Sequence, residues 1–266
     1  EQMNQEISGN LNLEKFNYKD LIIVLVQKEM KVMYGNNILG YLWSIATPLA
    51  FATVFFIAFK VIMRIEMENY PLFLIAGLFP WQWLNHSVGC SPTLFLGENG
   101  PIIKKVNFPR NIIPLVMVLR DMIHFVLSIP VILLFLLIYH KLPSISWIYG
   151  IPLFLCIQFL MIYGISLILS SINLFFRDME KLVFILMTFV FYFTPIVYPV
   201  SMIPERYQYL ITFNPLAPLI INWKNLFLNG TLDSAYVIIS LAYAIIIFTV
   251  GHLVFKRLSW RFAEVI

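Results

Sequence analysis

Six long apolar segments, separated by short polar loops, follow one another between residues 40 and 255 of this chain. The hydrocarbon core of a bilayer is about 30 Å thick, so one helical crossing needs about 20 apolar residues. Hydrophobic residues make up 60% of the chain and charged residues only 12%, whereas soluble domains carry about 25% charged residues. The sequence therefore predicts an all-α membrane protein that crosses a bilayer several times.

The apolar segments divide the chain into a cytoplasmic N-terminal segment, residues 1–38, and a transmembrane domain, residues 39–266. Six transmembrane helices are predicted, at residues 40–61, 70–96, 112–139, 147–176, 182–198 and 235–255. The fifth is barely long enough to cross and ends before Pro199. Pro80 and Pro92 interrupt the second, where neighbouring helices can satisfy the carbonyl groups that a proline leaves unpaired.

Basic residues are distributed unequally between the two sets of loops. Twelve of the 18 Lys and Arg residues lie in the N-terminal segment, the second-to-third loop, the fourth-to-fifth loop and the C-terminal tail. The opposite loops hold Lys60, Arg64, Lys141, Arg206 and Lys224. Because short loops rich in Lys and Arg stay in the cytoplasm, both termini are expected there. The basic residues form no single block, so no nucleic-acid partner is expected.

Two further segments are apolar but too short to cross. Residues Tyr18–Tyr34 predict an amphipathic helix lying on the membrane surface, with Leu21, Ile22, Leu25 and Val26 sharing one face. The alternative for this segment is an ordinary solvated helix.

Residues 199–234 contain two apolar bursts, 209–213 and 216–221, that prolines interrupt. Neither burst is long enough to span, and both are too apolar for a free loop. Short re-entrant helices in the outer leaflet are therefore predicted between crossings five and six, because irregular backbone at membrane depth must be buried in protein or line a cavity.

Arg120, Asp121 and His124 lie within the third predicted crossing. Ionisable residues inside a membrane are functional candidates, since an unpaired charge at the helix centre costs about 2.5–3.5 kcal/mol. Asp121 and His124 are three residues apart and can face each other on one helix. Two interpretations are open at this point: a structural polar clamp, or the proton relay of a secondary transporter.

Asn85, His86 and Ser87 give the second predicted crossing a polar middle. A lone histidine in such a place more often bonds a neighbouring helix than binds a metal. With no carboxylate expected nearby, and only Cys90 and Cys156 as thiols, no metal site is predicted.

Aromatic residues recur at helical spacing in two crossings. Such stripes usually serve helix packing or lipid contact. The alternative is that they line a conduit, where flat apolar ring faces stack against sugars and Tyr hydroxyls bond the sugar edges. The stripes are Phe51, Phe55 and Phe59 in the first crossing, and Phe184, Phe191 and Tyr198 in the fifth.

Residues 35–42 have the glycine spacing of a phosphate-binding loop. However, Tyr41 and Leu42 stand where Lys and Ser or Thr must contact phosphate and magnesium. The chain is therefore expected to hydrolyse no nucleotide by itself. An intramembrane enzyme is also disfavoured, because clustered His, Asp, Glu and Ser partners are scarce.

Several short motifs occur in order along nearly the whole chain. They are KEMKVMY at 28–34, LGYLW at 39–43, TPL at 47–49, IIKKVNFPR at 102–110, Pro114, NLFFRD at 173–178, TPIVY at 194–198 and FNPL at 213–216. In these motifs the chain resembles the membrane (permease) subunits of type-2 ABC exporters for polysaccharides, O-antigen exporters in particular.

The resemblance implies roles for particular residues. Coupling to a cytoplasmic ATPase would fall to Lys104, Lys105, Phe108, Pro109, Arg110, Arg177 and Asp178. The channel would be lined by Trp43, Phe51, Phe55, Phe59, Phe184, Phe191 and Tyr198. An outer gate would include Pro204, Tyr207, Phe213, Asn214 and Pro215. Lys28 and Lys31 would attract the pyrophosphate of a lipid carrier, unless they only obey the distribution of positive charge.

The resemblance also implies partners. The chain would form a homodimer in the bacterial inner membrane, in contact with membrane lipids, and would dock on two copies of an ABC ATPase. That ATPase would hold ATP and magnesium, and this chain would hold no cofactor. The expected cargo is a lipid-linked polysaccharide. Teichoic acid or drug export by the same architecture, and a proton-coupled secondary transporter using Asp121 and His124, are the alternatives.

Overall fold

The computed structural model describes residues 18–34, 42–62, 64, 67–95 and 109–262, and all regular secondary structure in these residues is helical. The principal helices are α1 (Tyr18–Tyr34), α2 (Leu42–Phe56), α3 (Tyr70–Cys90), α4 (Ile112–Ile138), α5 (Trp147–Asn173), α6 (Met179–Phe193), α7 (Glu205–Gln208), α8 (Leu210–Phe213), α9 (Ala217–Asn229) and α10 (Ser234–Leu258). A π-helical segment, Ile57–Ile62, continues α2. The boundary between the two predicted regions, at residues 38 and 39, lies outside the described residues.

The helices α4, α5 and α10 are long and apolar enough to cross a membrane, with 27, 27 and 25 residues. A rise of about 1.5 Å per residue makes each longer than the hydrocarbon core. The helices α2, α3 and α6 cover most of the other three predicted crossings. They do not meet the same criterion of length and composition, because α2 and α6 have 15 residues each and α3 has a polar middle.

The fifth predicted crossing ends earlier than expected. The sequence predicts a helix as far as residue 198, but α6 ends at Phe193. Thr194 precedes Pro195, and a residue before proline is driven out of the helical region by the proline ring. Thr194 accordingly is extended, with φ −97° and ψ 133°. Tyr198 therefore does not lie on the same helix as Phe184 and Phe191.

The segment after α6 contains more regular structure than the sequence predicts. The short helix α8 matches the first apolar burst, but α9 continues eight residues beyond the second burst. Its side chains are buried from Ala217 to Lys224, and it packs against α3, α5 and α10. Gly230 ends the helix with φ 67°, a conformation in which glycine has no steric penalty. Lys224, predicted to be an outer loop charge, is therefore a buried helical residue.

Aromatic and amide side chains join α3, α4, α5 and α9 in the centre of the fold. Trp223 of α9 packs edge-on against Phe125 and Phe154, at centroid distances of 5.0 and 5.3 Å. The indole of Trp223 donates to Gln158 Oε1 at 2.6 Å, and Gln158 Nε2 donates to the Pro80 carbonyl at 2.8 Å. Gln158 is fully buried, so these two bonds satisfy an amide that water does not reach.

The helices α5 and α10 approach each other through two glycines. A Cβ atom added to Gly164 would lie 2.7 Å from Phe248 Cα, and one added to Gly251 would lie 2.3 Å from the Gly164 carbonyl oxygen. Small residues let helix backbones approach closely, and such contacts replace the hydrophobic effect as the source of helix association in lipid.

We expect Gly251→Ala to destabilise the protein by about 1–3 kcal/mol, because the new methyl group overlaps backbone that cannot move aside. The measurement is the midpoint of thermal unfolding in detergent. Gly89→Ala is the matched control, since a Cβ atom there meets no atom within 4 Å. An equal effect of the two substitutions would show that the α5–α10 contact is not close-packed.

Candidate functional site

A groove of about 830 Å³ lies between α2, α3 and α6, and is called the central groove here. It brings together four of the seven aromatic residues predicted to line a channel. These are Phe51 and Phe55 of α2, and Phe184 and Phe191 of α6. The rings of Phe55 and Phe191 lie 5.6 Å apart, which joins the two stripes across the groove.

The other three predicted channel residues lie elsewhere. Phe59 packs against Phe55 and Tyr70, outside the central groove. Trp43 stands half-exposed near the start of α2. Tyr198, displaced from α6 by the turn at Pro195, donates its hydroxyl to the Tyr192 carbonyl at 2.8 Å.

The third wall of the central groove comes from α3, and the sequence did not identify it. Trp81 lies 5.5 Å from Phe191, and Gln82 and Asn85 add amide groups to the lining. Asn85 was visible in the sequence only as part of a polar middle, with no indication of which helix it faced. Ring faces next to amides form a surface that suits sugars, because rings stack on apolar sugar faces while amides bond hydroxyl groups.

A chain of charged side chains connects α1, α4 and α3, and is called the Asp121 network here. Asp121 accepts hydrogen bonds from Arg120 Nε at 2.9 Å, His86 Nδ1 at 3.0 Å and Ser87 Oγ at 2.6 Å. Arg120 Nη1 also donates to Glu29 Oε2 at 3.3 Å. A carboxylate only accepts hydrogen bonds, so His86 carries its proton on Nδ1 in this arrangement. The network thus ties α1 to the membrane core.

The Asp121 network tests two sequence-based expectations about His86. The prediction that no carboxylate lies near His86 is wrong, although the expectation that this histidine bonds a neighbouring helix is confirmed. Asp121 directs its carboxylate to α3 as well as to Arg120 of its own helix. Only the fold brings residues 86 and 121 together, because they are 35 positions apart in sequence.

The predicted coupling residues are described in part, since Lys104, Lys105 and Phe108 lie outside the described residues. Arg110 donates to the Ser259 carbonyl at 3.0 Å and lies 5.7 Å from the Phe262 ring, so the start of α4 contacts the chain just after α10. Pro109, Arg177 and Asp178 are exposed, as is the loose Asp178–Lys181 pair at 3.9 Å.

The two lysines predicted to attract a pyrophosphate lie on α1. Lys28 Nζ is 3.7 Å from Glu29, and Lys31 is exposed. Glu29 is therefore shared between Lys28 and Arg120.

One of the predicted outer-gate residues, Asn214, contacts the end of α6. Asn214 Nδ2 donates to Thr194 Oγ1 at 3.0 Å, and Asn214 Oδ1 accepts from the Leu216 amide at 3.0 Å. Pro215, between them, is half-buried. Among the other predicted gate residues, Pro204 precedes α7, the Tyr207 ring lies 4.6 Å from the Arg206 guanidinium, and Phe213 is exposed.

Residues 20–228 match the family described as ABC-2 type transporter. The chain is 47% identical over 247 residues to an O-antigen export system permease protein, RfbA, of Klebsiella pneumoniae, covering 93% of this chain and 95% of that protein. The RfbA protein of Myxococcus xanthus is 31% identical, with 94% and 97% of the two chains covered.

A more distant relative is the polysialic acid transport protein KpsM of Escherichia coli, 26% identical over 74% of this chain and 77% of that protein. The family match covers more than half of the chain, and the nearer relatives align along almost their whole length. The chain therefore belongs to the ABC-2 type transporter family.

Proposed function

We propose that this chain is the membrane subunit of an ATP-driven exporter that moves a lipid-linked polysaccharide of the O-antigen type across the bacterial inner membrane. The observation that carries the proposal is the central groove, where aromatic rings from three helices stand beside amide groups. Relatives named as O-antigen export permeases, 46–47% identical, support the same class of cargo.

The energy for export comes from a separate protein in this proposal. Residues 35–42 lack the Lys and Ser or Thr that a phosphate-binding loop needs. ATP and magnesium are thus assigned to two copies of a cytoplasmic ABC ATPase, docked on a homodimer of this chain. Residues 104–110, with Arg177 and Asp178, are the proposed docking elements.

Six crossings with both termini in the cytoplasm fit the contacts at each end of the fold. At one end, Arg110 bonds the carbonyl of Ser259, so the second-to-third loop meets the C-terminal segment. At the other end, the hydroxyl of Tyr70 donates to the Val197 carbonyl at 2.8 Å, so the start of α3 meets the segment after α6. Each contact joins segments that the charge distribution assigns to the same side.

The helix α1 is proposed to lie at the cytoplasmic interface. Leu21, Ile22, Leu25 and Val26 are half-buried, while Ile23 and Val24 are exposed. The Glu29–Arg120 bond fastens this helix to α4. Lys28 and Lys31 of the same helix are proposed to attract the pyrophosphate of a lipid carrier.

The Asp121 network is proposed to be a structural connection, which favours the polar clamp over the proton relay. Every hydrogen bond that Asp121 accepts from His86, Ser87 and Arg120 stabilises the charged carboxylate. Arg120 is permanently charged, so it cannot pass a proton onward. Motion of α1 would reach the wall of the central groove through α4 and α3, since Asn85 adjoins His86.

The segment from residue 199 to the end of α9 is proposed to be the outer gate, with re-entrant helices in the outer leaflet. Asn214 and Lys224 both bond the chain just after α6. Because α6 also carries Phe184 and Phe191, displacement of this segment would move one wall of the central groove.

In liposomes that contain this chain and its ATPase, we expect glycan transport to require ATP and to survive collapse of a proton gradient. Asp121→Asn should reduce the yield of folded protein, because a buried Arg120 loses its carboxylate, at a cost of about 3–5 kcal/mol. The molecules that fold should still depend on ATP. Transport driven by a pH gradient without ATP, and lost in Asp121→Asn, would contradict the proposal.

Glu29→Gln should loosen α1 without disturbing the core. The pair with Arg120 is partly exposed, so its loss is worth about 1 kcal/mol and should accelerate amide hydrogen exchange in α1 about fivefold. Glu205→Gln is the control, because Glu205 is an exposed acidic residue of α7. Exchange in α1 that is equal in the two variants would remove the proposed role of Glu29.

Phe184→Ala should lower the rate of export by about two- to tenfold, because it removes one aromatic stacking contact with the glycan. Folding should be unaffected, since the Phe184 side chain is 75% exposed. Phe189→Ala on the same helix is the matched control, because Phe189 is 58% exposed and does not line the central groove. If both variants export at the same rate, the central groove is not the path of the glycan.

A further inference from the structure

A second cavity, of about 470 Å³, lies between the start of α3, the segment after α6, and α9, and is called the outer pocket here. Its lining includes Phe73, Lys141, Pro195, Lys224 and Asn225. The volume falls in the range of small-molecule sites, about 300–1,000 Å³. The pocket is separate from the central groove, although part of its lining belongs to the proposed outer gate.

Lys224 is a buried basic residue at the outer pocket. Its side chain is only 4% exposed, Nζ donates to the Pro195 carbonyl at 2.5 Å, and Nζ lies 3.7 Å from the centroid of the Phe73 ring. Among the described residues, no carboxylate lies within 4.0 Å of Nζ. A carbonyl dipole and a ring face offset only part of the cost of taking an ammonium out of water.

The absence of a side chain at Gly77 leaves room for the side chain of Lys224. A Cβ atom on Gly77 would lie 2.5 Å from Lys224 Cε and 3.1 Å from the Ile196 carbonyl oxygen. Any larger residue at position 77 would therefore collide with the lysine stem. Packing holds Lys224 beside the pocket, which distinguishes it from a surface lysine that extends freely into water.

The remaining lining carries one basic and one acidic residue, so the net positive charge of the outer pocket comes from Lys224. Lys141 is a second basic residue, and Glu68 is the acidic residue of the described lining. Asn69 and Asn225 contribute amide groups that can bond hydroxyl or anionic oxygens. A single anion in the pocket would provide Lys224 with the counter-charge that the described protein residues do not supply.

We propose that the outer pocket binds an anionic group, a carboxylate or a phosphate, with Lys224 as its principal counter-ion. The anion has two candidate sources. The first is an acidic sugar unit of the exported glycan near the outer gate, and this source rests on the proposed function. The other source with the same chemistry is the phosphate of a lipid headgroup. In either case the anion stabilises the position of α9 against α3 and the segment after α6.

The first test measures the charge of the pocket by cysteine reactivity in the full chain, assembled with its ATPase in lipid nanodiscs. In a background with Cys90→Ala and Cys156→Ala, Asn225→Cys is reacted with an anionic sulfonate methanethiosulfonate and with a neutral one. We expect Lys224→Met to lower the ratio of anionic to neutral rate about tenfold. The ratio at an exposed control, Thr231→Cys, should not change.

A second variant keeps this test decisive if Lys224→Met does not fold. Lys141→Gln alters a half-buried residue of the lining, and should lower the same ratio to a smaller extent. A ratio unchanged in every variant that folds overturns the proposal. The readout involves no transport, so such a failure leaves the proposed export function intact.

The second test asks which anion is held. Glucuronate, inorganic phosphate, glycerophosphoethanolamine and neutral glucose are compared at equal concentration for protection of Asn225→Cys against the neutral reagent. Protection by glucuronate and phosphate, but not by glycerophosphoethanolamine or glucose, supports the anion site and the glycan source. Protection by all three phosphate or carboxylate compounds, but not by glucose, supports the anion site with either source. Protection by glycerophosphoethanolamine alone supports the anion site with a lipid source. Equal protection by glucose, or protection by none of the four, overturns the proposal.

Discussion

Hydrocarbon does not solvate peptide groups or charges, so a polar group in the core of this protein is stabilised by a partner inside the protein. This constraint explains why the buried polar side chains join different helices. Gln158 bonds α3 and α9 at once, and Asp121 bonds α3 while staying attached to Arg120. Polar contacts of this kind, with the close approach of α5 and α10 at Gly164, determine which helices are neighbours.

The same constraint links the two ends of the fold to the central groove. At one end of the fold the Asp121 network connects α1 to α3, one residue from Asn85 in the groove wall. At the opposite end of the fold, Asn214 and Lys224 bond the chain just after α6, which forms another wall. Displacement of α1 or of α9 would therefore be transmitted to the walls of the central groove.

The helical elements were largely predictable from the sequence, because hydropathy and helix length respond to the same bilayer thickness. The end of α6 was less predictable. The seven-residue spacing of Phe184, Phe191 and Tyr198 suggests one continuous helix, but Pro195 ends the helix first and removes Tyr198 from the stripe. The extent of α9 was not predictable from its apolar burst alone, because the polar Asn222 and Lys224 are buried with partners distant in sequence. Asn222 bonds Asp233 at the start of α10, and Lys224 bonds the segment after α6.

The sequence by itself determined that this chain is helical, that it belongs in a membrane, and that Phe51, Phe55, Phe184 and Phe191 form stripes. These properties depend on composition and short-range spacing. Only the tertiary structure decided that the stripes meet at one groove, that His86 is the partner of Asp121, and that Lys224 is buried beside a cavity. Each of these involves residues far apart in the chain, and the hydropathy pattern does not predict which helices become neighbours.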